Sequence, residues 1–317
     1  VSYPAQATGQ TPPVRPSRAP GRDAAWGWLI GLLAGIAGVA PWWITGAQLP
    51  LQNLWATQVM PAQMPPALLP LSQYEATTLV AMLTVGGALA GLAVRIWSPA
   101  RRGLVTGCAV AGVLVVHFTA TVQSFSVLQA GLSTGTLAGM YFGGLLAGVI
   151  ASIVAAVLAL LLIASRSTLG ATIAFGLLAV PFTSWLVLWV VGVMGFVNVP
   201  TAVPTIARWV PAVVVGCALA WCGLKPASRA VAWVLNLAFL WLIPAVFTAV
   251  QSVLGTRVLA GDIPEMVLMG RQVLVRALGP DGGALPTMLL ALVIGVLGVG
   301  ARMVLDRRGR VDSSEAR

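Results

Sequence analysis

Ser98-Pro99-Ala100-Arg101-Arg102 is a short basic turn set between two apolar runs, 74–96 and 104–122. The second run ends in Phe118-Thr119-Ala120-Thr121-Val122-Gln123-Ser124. The same order returns later as Lys225-Pro226-Ala227-Ser228-Arg229, an apolar run, then Phe247-Thr248-Ala249-Val250-Gln251-Ser252. A fainter copy has Arg166 in the turn and Pro181-Phe182-Thr183-Ser184 at the far end. Arg102 and Phe118 are as far apart as Arg166 and Phe182 (118 − 102 = 182 − 166 = 16), while Arg229 and Phe247 are 18 apart. The pattern is that of a repeated helical hairpin, a construction typical of transporter folds.

Composition agrees with that reading. Of the 317 residues, 58% are hydrophobic and only 8% charged, against about 25% charged in a soluble domain. Apolar runs near 20 residues in such a chain are spanning helices, because the bilayer core leaves no water for exposed backbone groups. Barrel strands would alternate apolar with polar, and nothing here alternates for long. The expectation is an all-α, polytopic membrane helix bundle of about eight transmembrane helices, with the domain at 26–305. Residues 1–25 are read as a disordered tail and 306–317 as a second tail.

The net charge of +10 would suggest nucleic acid in a soluble protein. Here Arg101–Arg102, Arg166, Lys225–Arg229, Arg307–Arg310 and the N-terminal arginines fall on one side of an eight-helix layout, so the charge reads as topology and no nucleic-acid partner is expected. Both termini are placed in the cytoplasm and the chain in the cell (plasma) membrane. Arg208, Arg257, Arg271 and Arg276 run against that layout, three of them in one long loop. Lys225 is the single lysine among 18 basic residues, a bias read as coding preference. Cys108, Cys217 and Cys222 form no CxxC pair and read as small core residues.

The spans expected are 26–45, 74–96, 104–122, 137–164, 169–192, 209–224, 230–254 and 286–305, the last packing with the first as a fourth, broken pair. Gly31, Gly35 and Gly38 form a small-residue stripe in the first. Gly139, Gly143, Gly144 and Gly148 form overlapping GxxxG patterns in the fourth, a surface for a membrane-protein partner or a second copy. The uncharged 46–72 loop is too apolar to be solvated and is expected to lie along the membrane or fold back onto the bundle. In the last loop, 262–279 reads as a helix. Asp262 and Glu265 make a capping box, and the helix is expected to lie flat on the outer surface, as a lid or an anchor.

Polar and ionisable groups within apolar runs are the candidate site, because burying them is costly. Glu75, His117, Gln123, Arg208 and Gln251 are expected near one outer mouth, where they would bind a solute headgroup or relay a proton. The plainer reading is a solvated Glu75 and Arg208 with one satisfied core histidine. Asn236 reads as an interhelical hydrogen bond. No enzyme is expected: one histidine makes no His-rich metal site, no carboxylate pair lies in a run, and no phosphate loop or cofactor motif is present. The expected function is a permease-like protein, or the membrane subunit of a transport system for a solute or lipid. The alternative is a scaffold for an envelope complex.

Overall fold

The computed structural model describes residues 20–256 and 261–315. The N-terminal tail to residue 19 and Arg257 lie outside the described residues, as do the side chains of the 306–317 tail. The described residues form ten α-helices, with short 3-10 turns between some of them, and no strand. They are α1 (Pro20–Ile44), α2 (Ala76–Trp97), α3 (Arg102–Gly131), α4 (Thr136–Ala164), α5 (Thr168–Met194), α6 (Ala202–Ala207), α7 (Val210–Cys222), α8 (Ser228–Gly255), α9 (Ile263–Leu278) and α10 (Ala284–Glu315). Eight spans are long and apolar enough to cross a membrane, α6 and α7 together counting as one. The chain is therefore an all-α bundle of the multi-pass membrane kind.

Several boundaries differ from expectation. α1 starts at Pro20, inside the supposed tail, and α10 continues as helix to Glu315. α3 runs past Val122 to Gly131. Helix ends follow local chemistry: Ser98 closes α2 in the left-handed region at φ 48°, and the Ser167 hydroxyl accepts from Gly170 N to open α5.

The closest neighbours are not hairpin partners. α1 packs chiefly on α3, α2 on α4, and α7 on α10, each a parallel pair, with α5 joining the two halves through α2, α7 and α8. Missing side chains permit this. An added Cβ at Gly31 would strike the Ala109 backbone, one at Gly87 the Ala156 backbone, and one at Gly91 would lie 2.6 Å from Leu160 O. The expected pairing of the last span with the first does not form. α10 packs on α7 and α8, because Gly216 and Gly295 seat Ile294 and Trp233 there.

The two ends of the bundle differ. At one end lie Arg95, Arg102, Arg229 and Arg302. Arg95 Nη1 donates to Ser165 O at 2.6 Å and Ile163 O at 3.1 Å, closing the C-terminus of α4. Arg229 Nη1 donates to Cys222 O at 2.6 Å, and Arg302 Nη1 to Trp221 O at 2.8 Å, closing α7. A guanidinium fork serves several carbonyls at a helix's negative end, and lysine offers only a point charge. At these positions the arginine preference therefore has a chemical use and is not only coding preference. Of the cysteines, Cys222 is buried but Cys217 is exposed, so the core reading fails for Cys217.

The other end is capped by the 45–75 loop, which folds back onto the bundle. Leu49, Leu69 and Leu71 are fully buried in it. Trp42 and Trp43, in the last turn of α1, donate to Ala67 O at 2.9 Å and Leu68 O at 3.1 Å. Pairing Leu49 N with Pro65 O, and Ala67 N with Ala47 O, settles much of the loop's backbone without solvent.

Candidate functional site

The five candidate residues sit in different settings. Gln123 staples the cap: its Oε1 accepts from Leu68 N at 2.9 Å and its Nε2 donates to Pro66 O at 3.0 Å, while the neighbouring Ser124 hydroxyl accepts from Leu69 N. Gln251 accepts from the Thr77 hydroxyl at 2.9 Å, tying α8 to α2. Glu75 is half-buried one residue before α2. Arg208 is exposed, stacked 4.6 Å over the Trp209 ring between α6 and α7. His117 is 0% exposed, and neither ring nitrogen has a hydrogen-bond partner among the described residues. Its Nε2 faces Gly86, where α1 crosses α2. A satisfied core histidine is thus not what the structure holds.

Asn236 differs from expectation too. Its Nδ2 donates to Ala232 O of its own helix at 2.7 Å, and Oδ1 is buried without a donor against Gly176 of α5. The expected interhelical hydrogen bond is absent because Gly176 lets α5 come close without offering a polar side chain.

Among the described residues nothing packs on the glycine stripe of α4. A Cβ at Gly139, Gly143, Gly144 or Gly148 would meet no atom within 4 Å. Gly144 and Gly148 instead line a half-open groove of about 660 Å³ between α2, α4 and α8. Its walls are Leu, Val, Met, Phe and Ala side chains, and most of its polar groups gather at the cap end: Asn53, Gln73, Thr77 and Tyr141. These groups are held by the cap and by α8. Tyr141 Oη donates to Gln52 Oε1 at 2.6 Å, Gln73 Nε2 to Leu254 O at 2.8 Å, and Asn53 Nδ2 to Tyr74 Oη at 2.6 Å. Deeper down, the Ser152 hydroxyl is turned onto Gly148 O of its own helix.

A second cavity, about 490 Å³, lies between α5, α8 and the starts of α7 and α10. Arg208, Thr183, Ser184, Thr248 and Thr287 are on its wall. α9 connects the two cavities. Asp262 caps it as expected, accepting from Glu265 N. It does not lie flat across the bundle end, however. Gly270 rests on Val253, and Trp241, well down α8, donates to Leu278 O at 3.1 Å, so α9 runs back along α8. The packed face is Met266, Val273, Leu274 and Leu278, while Ile263 and Val267 are exposed. Ile263 and Met266 border the groove and Ala277 the second cavity.

Compared with known protein families, curated proteins and solved structures, the chain matches none. Among the described residues no group of three or more His, Cys, Asp or Glu could hold a metal. Sequence reading missed Asn53, Gln73 and Tyr141. They lie in or beside the cap, and only its folding back onto α4 brings them together.

Proposed function

We propose that this multi-pass membrane protein is permease-like, or the membrane subunit of a transport system, and that it takes a lipid-like amphiphile into the groove between α2, α4 and α8. One observation carries the reading: the groove is apolar along most of its length and, Ser152 apart, its hydrogen-bonding groups gather at one end. That asymmetry matches an acyl chain with a polar head. The volume lies within the roughly 300–1,000 Å³ of ligand pockets, and the glycines of α4 leave the width a chain needs. No chemistry on the ligand is proposed. The plasma membrane, with both termini and the arginine-bearing end of the bundle in the cytoplasm, is part of the proposal and rests on the positive-inside bias. The repeated hairpins belong to it as well.

The test uses the full chain reconstituted with a phosphatidylethanolamine carrying a photoactivatable acyl chain. Cross-links are expected on α2, α4 and α8, and Gly144→Leu with Gly148→Leu should remove them. Unchanged cross-linking sinks the reading. A scaffold role is favoured by the same exposed stripe, since glycine faces also seat partner helices. In that case the double variant would abolish co-purification of a helical partner or second copy and leave lipid cross-linking intact. For orientation, in a background without the native cysteines, a thiol at Gln58 should be labelled from outside and one at Ala100 should not.

A further inference from the structure

The second cavity has a chemistry the groove lacks. Phe182-Thr183 and Phe247-Thr248 are the matching dipeptides of two hairpin copies, and both threonines reach the wall of this one cavity. Ser184 and Thr287 join them. All four hydroxyls are turned the same way. Thr183 donates to Ala179 O at 2.8 Å, Ser184 to Val180 O at 3.4 Å, Thr248 to Pro244 O at 2.8 Å and Thr287 to Ala284 O at 2.7 Å. Each hydroxyl has a single hydrogen, spent here on its own helix, so what its oxygen has left to offer is acceptor lone pairs. Proline at 244 adds to this, because it leaves Leu240 O, on the same wall, without its usual i+4 donor.

Arg208 supplies the opposite character. It is the one charged side chain among the described lining residues, and among the described residues it makes no hydrogen bond or ion pair, only the stack on Trp209. It is exposed on the cavity wall, at the join of α6 and α7. A guanidinium without an ion-pair partner, beside a cavity lined by hydroxyl groups, is an anchor for an anion.

We propose that this cavity is a binding site for an organic anion that also carries hydrogen-bond donors, such as an ammonium or hydroxyl group beside a phosphate or carboxylate. Arg208 takes the anionic end. The oxygens of Thr183, Ser184, Thr248 and Thr287 take the donor end. A simple inorganic anion satisfies only the first half, and a cation alone is repelled. The site is separate from the groove, lies on another face of α8 and uses none of the groove's residues.

The probes are O-phosphoethanolamine, inorganic phosphate and phosphatidylethanolamine, tested on the full chain in nanodiscs of phosphatidylcholine. Calorimetry reads the soluble probes and native mass spectrometry the lipid. O-phosphoethanolamine or the lipid should bind, with inorganic phosphate weaker by about tenfold, the worth of a hydrogen bond to a charged group. Arg208→Gln should lose binding by about tenfold or more, and Arg208→Lys should restore part of it. Thr248→Val, close in size and safe for folding, should weaken O-phosphoethanolamine a few-fold and leave phosphate unchanged. Binding of the soluble probe marks a free solute as the ligand, and binding of the lipid alone marks a headgroup. Equal affinity for phosphate and O-phosphoethanolamine, indifference to both Arg208→Gln and Thr248→Val, or no binding of any probe overturns the proposal.

Discussion

α1 and α4 carry the same signature and use it in opposite ways. In α1, Gly27, Gly31, Gly35 and Gly38 all lie against neighbours: Val105, Ala109 and Val116 of α3, and Gly86 of α2. In α4, Gly139, Gly143, Gly144 and Gly148 face open space. The first stripe closes a seam and the second opens a groove. Small residues state only that side-chain volume is missing, and what enters the space depends on where the neighbours are held. α3 is drawn onto α1 from Val105 to Val116. α4 meets α2 further along the same row, at Ala156 and Leu160 against Gly87 and Gly91, and its glycines are left over.

The sharpest break of this contrast is a pair of leucines. Gly31→Leu drives a side chain into the Ala109 backbone, where nothing flexible can yield, and should cost about 3 kcal/mol or more. In detergent this reads as loss of the monodisperse folded species or a collapse in Tm. Gly144→Leu should change stability by less than about 1 kcal/mol while filling the groove. Equal loss in both variants would mean that the α4 stripe is packed in the working protein, as the scaffold reading requires.

A smaller effect is expected where α5 meets α8. Gly176→Ala pushes a Cβ onto Asn236 Oδ1, which is already buried without a donor. Overpacking of this kind costs about 1–3 kcal/mol. Adding Asn236→Ala to Gly176→Ala should recover most of it. A double variant no more stable than the single one would show that the backbone, and not the amide, sets the contact.

The cap tests whether the open groove depends on its lid of loop. Gln123→Ala removes both hydrogen bonds to residues 66 and 68, a loss of about 1–2 kcal/mol, largely local. Hydrogen exchange should quicken over residues 64–71 while α1 and α3 stay protected. Quickening across the whole bundle would mean that the cap and the α1–α3 seam form one cooperative unit.

Much of this was legible in the sequence for a simple reason: spanning helices need long uncharged runs, and those are counted directly. The Asp262 cap of α9 was legible because donor and acceptor are three residues apart, although the reciprocal Glu265 half of the expected capping box is not formed. The groove was not legible. Asn53 and Tyr141 are far apart in the chain, and whether Gly144 faces a helix or a void depends on where along α4 the contact with α2 falls. The roles of the similar short motifs were hidden likewise. Gln123 staples a loop, Gln251 holds Thr77, and Thr183 and Thr248 line a cavity, although the letters around them read alike. The arginines misled for the opposite reason, since a coding bias and helix-end capping leave the same letters.

The smallest effect is expected at His117, in the closed seam itself. Its imidazole is fully buried near Gly35 and Gly86, with neither nitrogen bonded among the described residues. A buried polar group without a partner costs stability, and replacing it with an apolar group of similar size removes that cost. His117→Leu should therefore leave Tm unchanged or slightly higher, within about 1 kcal/mol, and leave lipid cross-linking in the groove intact. This separates a seam that is only steric from one that works. If His117→Leu folds normally but lipid cross-linking or transport is lost, the imidazole has a partner in another state of the protein, and the α1–α2 crossing opens during function. If the variant unfolds, the histidine is held by a contact that the closed seam does not reveal, and the contrast between the two glycine stripes is less clean than their geometry suggests.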